Sequence, residues 1–213
     1  MIQCMKSNSL YDFVLYLKNR SDDVGYQRKT TLTHKRITNS LVTLLETHKF
    51  DLITVNQIVE EAEITRSTFY RYYDDKYNLL SEIEEEILTH LYEERQKIDQ
   101  QFAKEDMLNV EVFQQLFEAL EPYSETIRLL LGHNGDSSFE MKIKNEIGKR
   151  FINLGELHHV SKVREDLVKE YLYVILIKTF QYWSANKDSI DVREVASTMR
   201  DIQLKGIRKT IGL

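Results

Sequence analysis

The chain has 213 residues, of which 42% are hydrophobic and 30% are charged, so it can bury a sizeable core and is not disordered as a whole. Only seven Gly and one Pro are present, too few for the tight turns of a loop-rich β protein, and we expect an all-α fold. The single cysteine, Cys4, excludes an intramolecular disulfide and favours a cytoplasmic location. The longest apolar stretch, Tyr171 to Trp183, contains Lys178 and is too short to cross a bilayer, so we expect no membrane partner.

The net charge of −5 is unevenly distributed along the chain. Residues 1–80 hold 11 Lys/Arg against 10 Asp/Glu, a net of +1, and residues 81–213 hold 18 against 24, a net of −6. A near-neutral N-terminal part beside an acidic remainder suggests two parts with different functions. Ordinary surface charge on one globular protein is the alternative.

Residues 1–31 are predicted to form an N-terminal extension with one short helix and a linker. The apolar residues between Leu10 and Leu17 recur at the spacing of one helical face. The following residues 19–31 are polar and contain Gly25, which is typical of a linker. We expect the helix to pack on the body or on a partner. The alternative is that an upstream start codon adds dispensable residues.

Residues 32–78 predict a compact three-helix unit. The hydrophobic spacing indicates helices at Thr33–Thr47, Val55–Ala62 and Arg66–Tyr73. Thr54 and Gln57 have the spacing of a capping box, and Thr65 is a second N-cap. Two short helices joined by three or four residues have the geometry of a helix-turn-helix.

The last of these helices presents a polar side suited to nucleic acid. Phe69 and Tyr73, four residues apart, are predicted to point inward, which leaves five residues exposed: Thr65, Arg66, Ser67, Tyr70 and Arg71. Cationic side chains bind phosphates or guanine edges, hydroxyls bind phosphate oxygens, and a tyrosine ring can lie along the sugar-phosphate wall. Lys76, just beyond, is expected to hold one more phosphate. A solvated amphipathic helix is the alternative interpretation.

The segment from Thr54 to Leu80 resembles the DNA-binding signature of the tetracycline-repressor (TetR/AcrR) family, and the resemblance extends over Leu32 to Glu84. It implies a helix-turn-helix whose second helix reads the major groove. By position, the resemblance assigns these residues to the recognition helix: Thr65, Arg66, Ser67, Thr68, Tyr70, Arg71 and Tyr72. It assigns Thr54 and Lys76 to contacts with the DNA backbone.

The turn departs from the family pattern at one position. The family usually has Gly after the alanine of the turn, and this chain has Glu63 after Ala62. A left-handed backbone at a non-glycine residue costs about 1 kcal/mol, which the fold can bear. A carboxylate that faced the duplex would also repel phosphate.

Residues 79–213 are predicted to form a C-terminal helical domain for regulation and dimerisation. After a long helix at about Asp75–Asp99, the pattern indicates further helices at Asn109–Glu121, Ser124–Leu131, Ser137–Leu154, Lys162–Asn186 and from Val192 onward. The helix Lys162–Asn186 is apolar nearly all round in its middle, so it must be covered on more than one side. We therefore expect a homodimer in which the last two helices and their symmetry mates form a four-helix bundle.

A partly apolar effector cavity is expected inside the C-terminal domain. Bulky rings keep helices from approaching closely everywhere, and the residues expected to line the remaining space are Phe113, Phe117, Tyr123, Phe151, Tyr171 and Ile175. The alternative is a solid core and a surface for a protein partner. Leu131–Phe139 and the pair Tyr182-Trp183 look like a subgroup that includes regulators of dihydroxyacetone-kinase operons.

Enzymatic and metal chemistry are not indicated. No glycine-framed nucleophile or glycine-rich phosphate loop is present, and we predict neither a catalytic residue nor a cofactor. His158 and His159 are adjacent, a spacing that does not converge on one metal ion, so no metal site is predicted.

The predicted function is a cytoplasmic, sequence-specific transcriptional regulator that binds double-stranded DNA as a homodimer. We expect a repressor that occupies a near-palindromic operator and is released by a small-molecule effector. One alternative is a DNA-binding regulator or co-activator controlled by a protein partner. A more remote alternative is a helical enzyme or scaffold.

Overall fold

The computed structural model describes residues 24–102, 108–151 and 161–210, without the side chains of residues 24–29, 149–151 and 207–209. Across these residues the fold is all-α, as the sequence predicts. The helices are α1 Val24–Leu45, α2 Val55–Glu61, α3 Arg66–Phe69, α4 Lys76–Gln101, α5 Val110–Leu120, α6 Ser124–Leu130, α7 Ser137–Phe151, α8 Lys162–Ala185 and α9 Val192–Thr210. Single 3₁₀ turns lie at Phe50–Leu52 and Glu121–Tyr123.

The chain divides into two compact units, Met1–Glu86 and Ile87–Leu213. The helix predicted near Leu10 to Leu17 and the pair His158-His159 lie outside the described residues. None of the helices in the described ranges is long and apolar enough to cross a membrane.

Helix α1 starts earlier than the sequence predicts. It begins at Val24, within the polar stretch 19–31 that was expected to be a linker. The residues concerned include Gln27, Arg28 and Lys29, which favour the helical backbone although they are polar. These residues have no apolar stripe, so the hydrophobic spacing did not indicate a helix here. Their helix propensity is nevertheless high.

The core of the first unit is formed where α1 packs on α2 and α2 packs on α3. Its completely buried side chains come from all of these helices, from the connector after α1 and from α4: Ile37, Leu41, Leu45, Ile53, Ile58, Phe69, Tyr73, Leu79. Burial of each such side chain contributes about 1.5–3 kcal/mol relative to leaving it exposed. This core fixes the backs of α2 and α3 and leaves their outer faces to solvent.

Helix α3 is shorter than the predicted range Arg66–Tyr73. Its regular part ends at Phe69, and Tyr70 is the C-cap residue. Beyond it, the amide of Arg71 donates to Thr68 and that of Tyr72 donates to Phe69, each across three residues. The chain tightens into this 3₁₀ pattern at the helix end, a common way to satisfy terminal carbonyls.

In the second unit α5 packs on α9, and α8 packs on α6, α7 and α9. The inner face of α8 is aromatic: Phe180 and Trp183 lie 5.5 Å and 5.9 Å, ring centre to ring centre, from Phe117 of α5. The opposite side of α8 is also apolar but exposed, with Tyr171 62% and Val174 49% accessible. The predicted two-sided apolar character of α8 is therefore present, and none of the described residues covers one of its sides.

The final helix contains a break that the sequence did not predict. Gly206 in α9 has φ 77° and ψ 163°, a left-handed backbone that separates the last residues from the helix. Glycine tolerates this conformation because it has no Cβ. The apolar spacing continues past Gly206, so periodicity alone predicted a single helix.

Candidate nucleic-acid interface

The first helix of the helix-turn-helix begins with a complete capping box. The backbone amide of Gln57 donates to Thr54 Oγ1 at 3.3 Å, and the amide of Thr54 donates to Gln57 Oε1 at 2.9 Å. Two amides that the helix itself cannot satisfy are thereby bonded. The predicted caps at Thr54 and Thr65 are both confirmed.

The turn between α2 and α3 depends on a left-handed residue. Glu63 has φ 51°, and the amides of Ile64 and Glu63 return to the carbonyls of Val59 and Glu60, which is the Schellman pattern of a helix C-terminus. The left-handed backbone expected at this position is confirmed. The Glu63 carboxylate lies 2.7 Å from Nη2 of Arg36 in α1, so its charge is paired with a cation of its own chain.

Helix α3 begins with a small hydroxyl network. Thr65 Oγ1 accepts from the backbone amide of Thr68 at 3.2 Å and lies 2.9 Å from the hydroxyls of both Ser67 and Thr68. Thr65 and Ser67 are exposed. The network defines the positions of three hydroxyl groups at the solvent-facing start of the helix.

Arg66 and Tyr70 form the cationic and aromatic part of the same face. Nη2 of Arg66 donates to the hydroxyl of Tyr70 at 3.3 Å, and its guanidinium lies 5.9 Å from the centre of the Tyr70 ring. Both residues are exposed, one helical turn apart. The contact holds the guanidinium beside a ring while its remaining donors face solvent.

Most of the predicted orientations of this segment are confirmed. Phe69 and Tyr73 are inward, with 0% and 1% exposure, and the five side chains predicted to be outward are exposed: Thr65, Arg66, Ser67, Tyr70 and Arg71. Thr68 and Tyr72, assigned to the recognition helix by resemblance, are half-buried. Thr54 is exposed at the start of α2.

Tyr73 anchors the end of the recognition segment to α4. Its hydroxyl donates to Oε1 of Glu82 at 2.9 Å, and His34 of α1 contacts the same carboxylate oxygen. Burial, with the adjacent carboxylate, raises the pKa of Tyr73 above its usual range, so the phenol stays protonated as the donor. This partly buried polar cluster thus links α1, the segment after α3 and α4 behind the exposed face.

Lys76 occupies a different environment from the predicted phosphate contact. Its ammonium nitrogen lies 2.8 Å from each of three backbone carbonyl oxygens, those of Phe50, Asp51 and Ile53. It also lies 4.8 Å from the centre of the Phe50 ring. An ammonium has three N–H donors, and all three are used within the chain. The phosphate contact was predicted from the position of Lys76 in the sequence. That position does not show that three backbone carbonyls lie within reach of the ammonium.

Sequence reasoning missed three residues that support the interface. Arg36 forms an ion pair with Glu63 in the turn. Glu82 accepts the hydrogen bond of the Tyr73 hydroxyl, and His34 contacts the same carboxylate. Their partners lie 27, 9 and 48 residues away, and no local motif connects them.

Of the six residues predicted to line an effector cavity, the five whose side chains the structure describes do not line one common site. Phe113 and Phe117 are buried in the α5 core, with 3% and 1% exposure, whereas Tyr171 is 62% exposed. The ring of Tyr123 lies 5.2 Å from that of His90 at an angle of 48°, and the side chain of Phe151 lies outside the described residues. The rings of Phe117, Phe180 and Trp183 pack against one another in this part of the second unit.

Ile175, the remaining candidate, lies in an open groove between α8 and α9. The groove has a volume of about 590 Å³, and it is lined mainly by apolar side chains that include Val174, Tyr182, Val195, Met199 and Ile202. Lys178 and Glu194 also contribute to its walls. The groove lies on the side of α8 that the described part of the chain leaves exposed.

Comparison with known families gives two adjacent matches. The family described as bacterial regulatory proteins of the tetR family matches residues 37–83, and the transcriptional regulator C-terminal region TetR_C_8 matches residues 110–205. The first contains the helix-turn-helix and the second extends over α5 to most of α9. A comparison with curated proteins gave no significant match.

Solved structures with the same fold include several regulators. A Clostridium perfringens protein assigned as a fatty acid metabolism regulator aligns with a TM-score of 0.64 at 18% identity, over 81% of this chain and 98% of its own. FadR from Bacillus subtilis, solved with stearoyl-CoA, aligns with a TM-score of 0.56 at 18% identity, over 81% and 98%. The dihydroxyacetone kinase operon activator DhaS aligns with a TM-score of 0.47 at 18% identity, over 83% and 97%.

The Clostridium perfringens and Bacillus subtilis structures share the fold of this chain. The two family matches fall on the two parts of the chain to which the sequence assigned different functions. The chain belongs to the TetR family of transcriptional regulators.

Proposed function

We propose that the chain is an operator-binding repressor that acts as a homodimer and is released from DNA by a small-molecule effector. The observation that carries the DNA-binding part is the outer face of α3. Arg66, Tyr70 and the hydroxyls of Thr65 and Ser67 are exposed on a helix whose inner side is fixed by Phe69. Such a face can enter the major groove while the unit behind it stays unchanged.

Each exposed group has a role that its chemistry supports. The Arg66 guanidinium has donors left to bind the O6 and N7 acceptors of guanine, the commonest specific contact in the major groove. Arg71 and the hydroxyls of Thr54, Thr65 and Ser67 suit phosphate oxygens, which set register but carry no sequence information. The Tyr70 ring lies beside Arg66 and suits the sugar-phosphate wall. Thr68 and Tyr72 have smaller exposed surfaces and suit supporting contacts.

The uncovered face of α8 supports the dimer. Tyr171, Val174 and Tyr182 are 62%, 49% and 59% exposed, and the α8–α9 groove continues this apolar surface. A second copy related by a two-fold axis would cover each face with its own counterpart. Two recognition helices would then meet successive major grooves about 34–36 Å apart, or a multiple-turn spacing, on a near-palindromic site.

Control by an effector is proposed through α4, a continuous helix from Lys76 to Gln101 that begins in the first unit and ends in the second. A ligand that binds one tilt of this helix better than another would shift the spacing of the recognition helices and hence the DNA affinity. Because the FadR of Bacillus subtilis was solved with stearoyl-CoA, a long-chain acyl-CoA is the first class of effector to test.

The test begins with selection of bound duplexes from a random-sequence pool by the purified protein, followed by affinity measurements at several salt concentrations. We expect a near-palindromic consensus, and a binding constant that falls steeply as salt rises because phosphate counterions are released. A pool that shows no enrichment and no salt-dependent binding would refute the DNA-binding proposal and favour a helical enzyme or scaffold.

Stearoyl-CoA is then added to the complex with the selected duplex, with free coenzyme A as the matched control. Release by stearoyl-CoA alone supports the effector proposal. If neither this nor a panel of shorter acyl-CoA esters changes the DNA affinity, the protein-partner alternative replaces the acyl-CoA proposal. That outcome leaves the DNA-binding proposal intact, since the two steps are measured separately.

A further inference from the structure

Glu82 is a partly buried carboxylate on α4, behind the exposed face of α3. Its side chain is 22% exposed, and its Oε1 atom accepts the hydrogen bond of the Tyr73 hydroxyl at 2.9 Å. The ring of His34 in α1 contacts the same oxygen and lies 5.8 Å from the Tyr73 ring, centre to centre. One carboxylate oxygen is therefore in contact with α1 and with the end of the segment 66–73.

The bond between Tyr73 and Glu82 fixes where the segment 66–73 ends. The regular part of α3 has only four residues, and so short a helix has little stability of its own. Its placement depends on the contacts of its inward side chains. Phe69 contributes an apolar contact, 5.6 Å between its ring and that of Tyr73, whereas the hydroxyl of Tyr73 adds a bond to α4. Apolar contacts are non-directional, but a hydrogen bond favours one distance and one angle, so it limits the placement more narrowly.

The Tyr73 hydroxyl depends on this acceptor. The residue is 1% exposed, so water cannot replace the carboxylate unless the ring moves. Burial and the neighbouring carboxylate raise the pKa of Tyr73 above its usual range, which keeps the hydroxyl in its donor form. A buried donor left without its acceptor costs more than removal of both partners. Without the acceptor we therefore expect the ring to shift towards water, and Tyr70, three residues earlier, to shift with it.

We propose that Glu82 is a positioning residue for DNA binding: as the hydrogen-bond acceptor of Tyr73, it sets the placement of the segment 66–73 on α4, and with it the direction of Arg66 and Tyr70. The proposal rests on the DNA-binding function proposed above. It predicts an effect opposite in sign to that of charge alone, because removal of a carboxylate from a DNA-binding unit should by itself strengthen binding to phosphates.

The experiment separates the acceptor from the charge. Glu82→Gln removes the charge and keeps an oxygen acceptor, whereas Glu82→Leu removes both. Tyr73→Phe and the double variant Tyr73→Phe/Glu82→Leu remove the donor. Glu85→Leu removes an exposed carboxylate of α4 and is the matched control for charge. Thermal unfolding without DNA identifies a temperature at which the variants are folded, and affinity for the selected duplex is measured there at several salt concentrations.

We expect Glu82→Gln and Glu85→Leu to bind at least as tightly as the parent. Glu82→Leu should bind more weakly by about fivefold or more, the lower end of the value of one bidentate base contact, with an unchanged slope of log affinity against log salt. The double variant should regain most of this loss and match Tyr73→Phe, because neither protein keeps a buried donor that needs Glu82. Tyr73→Phe loses the directional bond but leaves no unpaired donor, so its affinity should lie between those of the parent and Glu82→Leu.

The proposal is overturned by a Glu82→Leu protein that binds as tightly as the parent or more tightly. It is also overturned if Glu82→Gln is as weak as Glu82→Leu, because charge rather than the acceptor would then matter. A double variant no better than Glu82→Leu would show that Glu82 does not act through Tyr73. If Glu82→Leu did not fold, Tyr73→Phe would decide, and an affinity equal to that of the parent would overturn the proposal.

Failure of this role and failure of the proposed function give different results. A parent that binds no DNA would refute the proposed function and the positioning role with it. A parent that binds the selected duplex while Glu82→Leu and Tyr73→Phe bind equally well would refute the positioning role alone.

Discussion

The hydroxyl of Tyr73 lies 2.9 Å from Oε1 of Glu82, which connects the end of the recognition segment to α4 inside the core. Hydrogen bonds to a charged acceptor contribute about 1.5–3 kcal/mol, so Tyr73→Phe should lower the free energy of unfolding by about that amount. Urea unfolding at neutral pH measures it. Tyr72→Phe removes the hydroxyl of the half-buried neighbour and should change stability by less than about 0.5 kcal/mol. Equal effects of the two substitutions would contradict the anchoring role of Tyr73.

The raised pKa of Tyr173 on α8 predicts that the stability of the protein changes with pH in the alkaline range. Burial, with Glu140 and Glu170 nearby, raises its pKa from 10.0 to about 12. The folded state therefore holds the phenolic proton more tightly than the unfolded chain, a stabilisation that is complete below pH 10 and lost as the pH rises towards 12. Tyr173→Phe cannot ionise, so its unfolding free energy should decline less steeply across this window.

Urea unfolding at a series of pH values from about 9 to about 11.5 brackets the normal tyrosine pKa and measures these slopes. Tyr92→Phe, at an exposed position of α4 outside the proposed interface, is the control and should follow the parent. A Tyr173→Phe protein that loses stability as steeply as the parent would show that Tyr173 does not contribute to the alkaline transition.

Replacing Glu63 in the turn by glycine and by alanine should have different effects on stability. Its left-handed backbone costs about 1 kcal/mol in any non-glycine residue, and the exposed pair with Arg36 returns about 0–1 kcal/mol. Glu63→Gly should therefore be as stable as the parent or more stable by up to about 1 kcal/mol. Glu63→Ala keeps the strain and loses the pair, so it should be less stable than either. Thermal unfolding ranks the parent and the two variants by stability. An alanine variant that melts above the glycine variant would contradict the predicted order.

Arg66 and Tyr70 predict different effects on DNA recognition. Arg66→Ala should change the preferred base at one position per half-site and cost about 1–3 kcal/mol on the selected duplex if the contact with guanine is bidentate. Tyr70→Ala should weaken all sequences to a similar degree, because a contact with the sugar-phosphate wall carries no base information. Repeating the selection with each variant measures both effects. An unchanged consensus with Arg66→Ala would remove Arg66 from base readout.

The uncovered side of α8 predicts the oligomeric state. Val174 is 49% exposed in the apolar face, and Val174→Glu should place an unpaired carboxylate in the proposed dimer interface. We expect a monomer by light scattering at micromolar concentration, with weaker binding to the selected duplex. Met141→Glu on α7, where Met141 is 67% exposed, is the matched control and should remain a dimer. A parent protein that is itself monomeric would refute the interface.

Local chemistry explains why much of the DNA-binding unit could be predicted from sequence. The caps at Thr54 and Thr65 and the left-handed turn at Glu63 each depend on residues within five positions of one another. The inward orientation of Phe69 and Tyr73 follows from helical spacing. These features specify the helix-turn-helix before any tertiary contact forms.

Contacts between distant residues explain what the sequence did not predict. Lys76 donates to backbone carbonyls 23 to 26 residues away. Every residue has such a carbonyl, so the amino-acid sequence does not show which ones will lie near the lysine. In the second unit, the bulk of Phe117 suggested a gap between helices, but the sequence does not show which rings meet. Phe117 stacks on Trp183, with an angle of 21° between the rings.

The division of the recognition segment into anchored and exposed residues affects how such a regulator can evolve. Phe69 and Tyr73 hold the segment in place, whereas Arg66 and Tyr70 contact each other at the surface and can be replaced without reaching the core. Surface substitutions away from special features change stability by about 0.5 kcal/mol or less. After gene duplication, a copy could therefore acquire a new target sequence through a few mutations, with no need for a compensating change elsewhere to keep the protein folded.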